Sequence, residues 1–183
     1  MITNTGIWSK DESYAHIFSF KVAQWIGRYL SSKKQLIDLG CGNGTYLSYL
    51  QSIGFEKCIG VEGSEIDFEF DDVVIQDLTI PFDLNKKGNV ICLEVWEHIP
   101  LEFEDILIEN IKTHCNGKLI LSVALKGQDG LGHVNCQNNE YIKEKLASHG
   151  FKYNESNTLS LRKCPENFVA YFRDTLMIYD FIQ

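Results

Sequence analysis

The chain has 183 residues, 44% of them hydrophobic, and a formal net charge of −8. This length fits one domain, and the composition is ordinary for a packed globular core. The acidic balance disfavours a large polyanionic partner such as DNA, because phosphate contacts require clustered Lys and Arg. We find neither a signal peptide nor an apolar run of membrane-spanning length, so we expect no membrane partner and a cytoplasmic protein.

The cysteines predict neither disulfides nor a zinc site. They are Cys41, Cys58, Cys92, Cys115, Cys136 and Cys164. No two of them form a CxxC pair, and their spacing matches no common set of zinc ligands. We therefore interpret them as reduced core or loop residues.

The first predicted element is an amphipathic helix, or two helices, over Asp11 to Leu30. Its apolar residues recur at helical spacing: Tyr14, Ile17, Phe18, Val22, Trp25, Ile26 and Tyr29. Ser9 or Asp11 is a suitable N-cap. Such a helix is expected to cover one face of a sheet.

A strand, a glycine turn and a helix follow. Leu36–Leu39 is a mostly apolar run, Gly40, Gly42 and Gly44 occupy alternate positions, and apolar residues recur at helical spacing over 45–53. This arrangement lays backbone N–H groups beside a nucleotide-like ligand. The spacing GxGxG is one residue shorter than the dinucleotide fingerprint. A bare glycine turn between strand and helix, common in α/β proteins, is the alternative.

A second strand, Lys57–Glu62, ends in a carboxylate. Glu62 lies 22 residues after Gly40, close to the roughly 20 residues expected for an acid that binds the ribose of a nucleotide. A carboxylate can accept hydrogen bonds from both ribose hydroxyls. The acidic stretch 65–72 that follows is interpreted as a solvated edge.

The remaining elements alternate in type. We predict strands at Val73–Gln76, Asn89–Leu93, Lys118–Ala124, Phe151–Asn154 and Phe172–Tyr179, helices at about Glu102–Thr113 and Asn139–His149, a turn at Asn116-Gly117, and loops at 125–138 and 155–170. Strands that alternate with helices form a mostly parallel sheet, whose ligands lie beyond the carboxyl ends of the strands. Glu62, Asp77, Glu94 and the loop after the fifth strand all fall at these ends.

Together these motifs resemble the class I S-adenosylmethionine (SAM)-dependent methyltransferases. The match covers about residues 34–125 and comprises Ile37–Gly44, Gly60–Glu62, Val74–Leu78 and Cys92–Pro100. The resemblance implies an α/β fold: a Rossmann-like, mostly parallel seven-stranded sheet with helices on both faces and an antiparallel C-terminal strand. It also implies a single methyltransferase domain over 1–183, with an N-terminal helical cap at 1–33 and a core at 34–183.

The resemblance implies a site for SAM and its product S-adenosylhomocysteine (SAH). The implied cofactor-binding residues are Asp38, Gly40, Cys41, Gly42, Asn43, Gly44, Glu62, Gly63, Asp77, Leu78 and Glu94. Asp77 would accept from the adenine amino group and the N–H of Leu78 would meet adenine N1, whereas a turn-forming Asp77 is the alternative. Asp38 would either brace the glycine turn or contact the cofactor. Three N-terminal residues are candidates for lining the pocket: Trp8, Tyr14 and His16.

The methyl acceptor is predicted to be a small molecule that accepts on a hydroxyl. Neither an Asp/Asn-Pro-Pro-Tyr pattern nor a Pro-Cys nucleophile is present, which together with the acidic charge disfavours methylation of DNA bases. Gly132–Asn135, Tyr141 and Gly150-Phe151 resemble small stand-alone methyltransferases. His98 and His133 follow the fourth and fifth strands, and either is a candidate base for the hydroxyl, because histidine titrates near neutrality.

One motif raises the question of a metal. Glu94, Glu97 and His98 form E-x-x-E-H, and a similar cluster holds Mg²⁺ in small-RNA 2′-O-methyltransferases and some quinone-pathway O-methyltransferases, with His133 available as a further ligand. Because E-x-x-E-H also occurs in metal-free relatives, we expect activity without a divalent metal. The alternatives are an RNA methyltransferase with an Mg²⁺-assisted site, a catalytically silent SAM-fold subunit that binds a partner, and a nicotinamide-dependent oxidoreductase.

Overall fold

A seven-stranded sheet forms the centre of the fold. The computed structural model describes residues 2–11, 17–30, 32–163 and 169–182. The strands are β1 (Gln35–Leu39), β2 (Lys57–Glu62), β3 (Val73–Ile75), β4 (Gly88–Leu93), β5 (Cys115–Ser122), β6 (Phe151–Tyr153) and β7 (Met177–Phe181). Their order in the sheet is β3-β2-β1-β4-β5-β7-β6. The neighbours from β3 to β5 are parallel, whereas β7 runs antiparallel between β5 and β6. The predicted sheet, including its antiparallel C-terminal strand, is confirmed.

Helices surround this sheet. They are α1 (Phe20–Tyr29), α2 (Thr45–Ser52), α3 (Glu104–His114), α4 (Asn139–Ala147), α5 (Glu155–Arg162) and α6 (Phe172–Thr175). Two 3₁₀ turns, Trp96–His98 and Leu101–Phe103, lie between β4 and α3. Among the described residues, no helix is both long and apolar enough to cross a bilayer.

Two buried clusters pack against opposite faces of the sheet. Successive side chains of a strand point to opposite faces, and β1 shows this directly, since Leu36 joins one cluster and Ile37 the other. The Leu36 cluster takes in side chains of α1, α2 and α5, and the Ile37 cluster those of α3 and α4. The central strands are thereby buried on both faces, as expected for parallel strands.

Helix α1 is shorter than predicted. It begins at Phe20, and the side chain of Ser19 caps it by accepting a hydrogen bond from the N–H of Val22. Residues 17–19 are not helical, and 12–16, which include Tyr14 and His16, lie outside the described residues. One continuous helix from Asp11 is therefore wrong, because the serine cap begins α1 at Phe20 although the apolar spacing starts earlier. The alternative of two helices falls largely on residues outside the described ones.

The predicted loop at 155–170 was wrong in its first half. Residues Glu155–Arg162 form α5, with the side chain of Asn154 accepting from the N–H of Asn157 at 3.2 Å. Leu161 is fully buried, and the Thr158 hydroxyl accepts from the N–H of Ile178 in β7 at 3.0 Å. The helix is held by one apolar side chain and one buried hydroxyl, so its hydrophobic period is weak.

The predicted final strand also began too early. Residues Phe172–Thr175 form the short helix α6, and β7 begins at Met177. Phe172 and Thr175 are both buried. The alternating apolar pattern arises here from a helical turn and a strand in succession, which explains the wrong boundary.

The predicted turn at Asn116-Gly117 is part of β5. Helix α3 ends at His114 and β5 begins at the next residue. A Cβ on Gly117 would lie 2.6 Å from Oδ1 of Asn89, which accepts the N–H of Lys118 at 3.0 Å. Gly117 therefore serves close packing between two strands rather than a turn.

Candidate functional site

The carboxyl ends of the strands border a cavity of about 700 Å³. Its walls come from the glycine turn after β1, from residues after β2, β3, β4 and β5, from the N-terminal segment and from the start of α6. A pocket of this size holds a drug-sized ligand or a cofactor with a small partner. The structure thus places the predicted site at one edge of the sheet.

The glycine turn approaches its neighbours too closely for side chains. Gly40 and Gly44 have φ angles of +78° and +83°. A Cβ on Gly40 would lie 2.3 Å from Val95, and one on Gly44 would lie 2.6 Å from Phe70. Positive φ and the absence of space both require glycine here. Phe70 belongs to the acidic stretch 65–72, which therefore has a buried anchor beside its exposed acids.

Glu62 holds the glycine turn through backbone hydrogen bonds. Its carboxylate accepts from the N–H of Gly42 at 2.9 Å, of Gly63 at 2.9 Å and of Ser64 at 3.2 Å. Burial raises the pKa of Glu62, while these N–H donors act in the opposite direction. The carboxylate also lines the cavity, and its binding of ribose stays a prediction.

Asp38 is an almost completely buried acid. Its side chain in β1 is 3% exposed and lines the cavity. Burial, with a further contribution from the nearby Glu62, holds the pKa of Asp38 well above its usual range. A cationic group bound in the cavity would stabilise the ionised form of this carboxyl.

The remaining predicted cofactor residues also meet at this edge. Asn43 Oδ1 accepts from the N–H of Thr45 at 3.2 Å, at the start of α2. Asp77 Oδ1 accepts from the N–H of Thr79 at 2.8 Å and from its hydroxyl at 2.7 Å. Asp77 is therefore a turn-forming residue that lines the cavity as well. Cys41 and Leu78 are buried lining residues.

Glu94 occupies a strained backbone position directly after β4. Its φ is +54°, which is uncommon for a residue with a side chain. The N–H of Glu94 donates to the hydroxyl of Ser122 at 2.9 Å, and its Oε1 is buried without a hydrogen-bond partner. Burial raises the pKa of Glu94. Strained residues of this kind cluster at ligand sites.

Glu97 is fully buried, and neither of its carboxylate oxygens has a hydrogen-bond partner. Burial and the neighbouring Glu94 hold the pKa of Glu97 well above its usual range. Its backbone carbonyl accepts the N–H groups of Val134 and Asn135 at 2.8 and 2.9 Å. These two bonds fasten the loop after β5 to the turn after β4.

The rings of the two predicted catalytic histidines lie edge to face, with centroids 5.1 Å apart. Nδ1 of His98 is 3.1 Å from the carbonyl oxygen of Gly132, and Nδ1 of His133 is 3.1 Å from that of Gln128. Because a carbonyl only accepts, each of these contacts is a hydrogen bond when Nδ1 carries the proton, and Nε2 of the neutral ring then carries the lone pair. Both residues line the cavity.

Three of the four candidate metal ligands come together. Ligand atoms of Glu97, His98 and His133 all lie within 4.8 Å of one another. Two imidazoles and one carboxylate are a donor set that suits divalent transition metals. Glu94 is not in this group. The oxygens of Glu97 that lack hydrogen-bond partners fit a cation, because buried carboxylates are otherwise paired.

The N-terminal segment crosses the mouth of the cavity. The hydroxyl of Ser64 donates to the carbonyl of Trp8, whose ring lies edge to face against His98 at 5.1 Å between centroids. A Cβ on Gly6 would lie 2.1 Å from the backbone oxygen of His98. Trp8 lines the cavity as predicted from the sequence.

Several lining residues were missed by sequence reasoning. They are Glu69, Tyr46, Gln128, Asp129, Tyr171 and Phe172. Tyr46 belongs to the apolar pattern of the helix predicted over 45–53, and Phe172 to the predicted final strand. Gln128 and Asp129 lie in the loop after β5, which the sequence places at the ligand-binding edge, although neither residue was singled out.

A family model described as a methyltransferase domain matches residues 14–157. No curated protein matches the chain. The magnesium protoporphyrin IX methyltransferase of Synechocystis PCC 6803, solved with bound SAM, is 20% identical, with a TM-score of 0.63 over 87% of this chain and 76% of that chain. A sugar N-methyltransferase from Streptoalloteichus sp. ATCC 53650 is 15% identical, with a TM-score of 0.68 over 90% and 88%.

A TehB-like SAM-dependent methyltransferase from Corynebacterium glutamicum is 16% identical, with a TM-score of 0.64 over 94% of this chain and 92% of that chain. At these identities the likeness shows the fold. The proteins concerned act on different acceptors, by their names a porphyrin and a sugar nitrogen.

Proposed function

Because this chain belongs to the class I SAM-dependent methyltransferase family, we propose that it transfers a methyl group from SAM to a hydroxyl of a small molecule. The strongest support is that the predicted cofactor-binding residues and the candidate bases line the same cavity. The glycine turn, Glu62 and Asp77 lie in the same cavity as His98 and His133. A cofactor site and a candidate base are therefore adjacent.

The methyl donor is SAM, bound along the ends of β1, β2 and β3. Solved structures of the same fold contain SAM or SAH. Glu62 would take the ribose hydroxyls, Asp77 the adenine amino group and Leu78 the adenine ring. Asp77 keeps a second carboxylate oxygen for this purpose, because only Oδ1 is engaged with Thr79.

The acids around the cavity suit a cationic cofactor. Burial raises the pKa of Asp38, Glu62 and Glu94. The sulfonium and ammonium groups of SAM carry positive charge, which stabilises ionised carboxylates at short distance. The transfer itself is a direct displacement, so alignment of sulfur, methyl and acceptor is the main contribution of the protein.

His133 is the base of the proposed reaction. The S–CH₃ bond breaks as the O–CH₃ bond forms, and the hydroxyl proton passes to Nε2 of His133. The carbonyl of Gln128 fixes the tautomer by accepting from Nδ1. His98 is the alternative base, with the same arrangement at Gly132. A positioned base contributes typically 10²- to 10⁴-fold to such a step.

Calorimetry tests the cofactor assignment, and product analysis tests the reaction. We expect heat of binding with SAM and SAH, and weaker or no binding of NAD. Incubation with tritiated SAM and a cell extract should yield a labelled small molecule with an O-methyl group. Tighter binding of NAD, or the absence of label transfer by a SAM-binding protein, would contradict the proposal, the latter in favour of a silent subunit.

The cluster of Glu97, His98 and His133 supports a second candidate function, metal-assisted methyl transfer. These three residues would hold the cation, because their ligand atoms lie within 4.8 Å of one another. A divalent cation there would supply Lewis-acid polarisation of the acceptor hydroxyl. Binding of Mn²⁺, followed by electron paramagnetic resonance and lost in Glu97→Gln, would favour this function. Turnover that survives exhaustive chelation would favour the metal-free reaction.

A further inference from the structure

The acidic residues that line the cavity are not balanced by basic ones. No Lys or Arg among the described residues lines it. Six acidic residues do: Asp38, Glu62, Glu69, Asp77, Glu94 and Asp129. The stretches that the structure does not describe contain no Lys or Arg in their sequence either. The cavity therefore has no permanent positive charge with which to bind an anion.

The negative charge extends to the end of the cavity that faces the acceptor. This end is formed by residues after β4 and β5 and by α6. Glu94 and Tyr171 both line this end, and Oε1 of Glu94 is buried there without a hydrogen-bond partner. Asp129 adds an exposed carboxylate in the loop after β5.

Aromatic rings supply much of the remaining surface. Tyr171 and Phe172 lie with their centroids 4.7 Å apart, and Phe18 and Tyr46 with theirs 4.9 Å apart. Trp8, whose ring contacts that of His98 edge to face, also lines the cavity. Aromatic faces stack on flat rings and attract cations, because their quadrupole is negative at the face.

We propose that the acceptor is an uncharged or cationic molecule with a flat apolar face, and that phosphorylated, carboxylated and nucleic-acid acceptors are excluded from this site. This inference rests on the proposed function, since it names the substrate class of the same cavity. SAM carries only one positive charge in excess, so its binding leaves the wall acidic. The hydroxyl to be methylated lies at the edge of the flat group, beside His133.

A matched series of probes tests the inference. The probes are a hydroxynaphthalene, its carboxylate derivative, its aminomethyl derivative and a short single-stranded RNA. Dissociation constants are measured by calorimetry with and without SAH, so that charge discrimination is scored whether or not the cofactor binds. Binding of SAH alone tests the proposed function separately. We expect the neutral and cationic probes to bind about tenfold or more tightly than the carboxylate, since charges near one another at a protein surface interact strongly.

Two variants, each with a control, test whether the cavity wall selects for charge and for a flat face. Asp129→Asn should narrow the gap between neutral and anionic probes several-fold, whereas Glu109→Gln, an exposed acid on α3 outside the cavity, should leave it unchanged. Tyr171→Leu should weaken the binding of the neutral and aminomethyl probes several-fold, whereas Tyr153→Leu in β6 should not.

Three outcomes would overturn the inference. The first is equal or tighter binding of the carboxylate probe. The second is tighter binding of the RNA than of the neutral probe. The third is the absence of binding by both the neutral and the aminomethyl probe at millimolar concentration, which would show that the wall does not select a flat apolar face.

Discussion

Trp96 and Glu104 are joined by a buried hydrogen bond, in which the indole N–H donates to Oε2 at 3.1 Å. The same carboxylate accepts from the side chains of Asn135 at 3.2 Å and Tyr141 at 2.6 Å, and pairs with Lys145 at 3.1 Å. Glu104 thus connects the turn after β4, the loop after β5 and α4. With the backbone carbonyl of Glu97, this buried acid holds the loop that carries His133.

We predict that Glu104→Ala lowers the free energy of unfolding by about 2 kcal/mol, because it leaves buried donors without an acceptor. Lys145 retains its pair with Asp105 at 2.7 Å, which limits the loss. Urea unfolding measures the change, and Glu140→Ala, at an exposed position of α4, is the control. Equal stability of the two variants would contradict the role of Glu104.

We predict that Asp77→Ala weakens the binding of SAM by about 10- to 150-fold, the value of a hydrogen bond to a charged group. The same change removes the bonds to Thr79, so Thr79→Val serves as the matched control that loses the hydroxyl bond and keeps the carboxylate. Calorimetry and thermal melting are measured on both. If the two variants bind SAM equally, Asp77 acts only in the turn.

We predict that His133→Ala lowers turnover by about 10²- to 10⁴-fold and leaves the affinity for SAM within about twofold. His149→Ala, a histidine remote from the cavity, is the control. Normal turnover of His133→Ala, or a product methylated on nitrogen, would contradict the proposed base.

Gly130→Ala tests whether His133 must occupy its observed position. A Cβ on Gly130 would lie 2.2 Å from Nε2 of His133, so the imidazole must move away from its place. We expect turnover to fall by about tenfold or more while the fold persists, because misplacement of a catalytic group costs rate. A rate equal to that of the unmodified protein would show that His133 need not occupy its observed position.

The buried acid Asp38 predicts a pH dependence of stability. Its pKa is raised in the folded state by burial and by Glu62. The stabilising, protonated form is therefore present at acidic pH, and its contribution is lost as the pH rises through the folded-state pKa. We expect Asp38→Asn to be more stable than the unmodified protein at pH 8, by on the order of 1 kcal/mol.

This gain should disappear towards pH 4, about the value at which an unfolded aspartate protonates. Thermal melting across this range measures it without SAM, and Asp71→Asn, an exposed acid, is the control. A gain that is equal at both pH values, or that grows at acidic pH, would contradict the raised pKa.

The sequence predicted the sheet and the cofactor edge because their signals are local. The glycine spacing and the acid at the end of β2 are fixed by contacts between adjacent strand ends, such as those of Glu62 with Gly42 and Gly63. Alternation of strands and helices then limits the topology. These features are the same in any chain that forms this turn.

The other parts of the site depend on contacts distant in sequence. Glu104 has the appearance of an ordinary acid in the first turn of a helix, and its burial follows from Tyr141 and Asn135, which lie more than thirty residues away. Phe172 was assigned to a strand, because the pattern contains no signal for the short helix α6. Tertiary packing decided these positions, and sequence periodicity does not report it.

The antiparallel insertion of β7 has a consequence for synthesis on the ribosome. Within the described residues, β6 pairs with β7 alone, and β7 is made last among the strands. The five parallel strands can assemble while the chain is still growing, but the edge of β5 stays open until residues 177–181 leave the exit tunnel. An open strand edge is a template for wrong pairing. Ribosome-bound chains that stop before Met177 should therefore recruit chaperones, and chains extended beyond the tunnel should not.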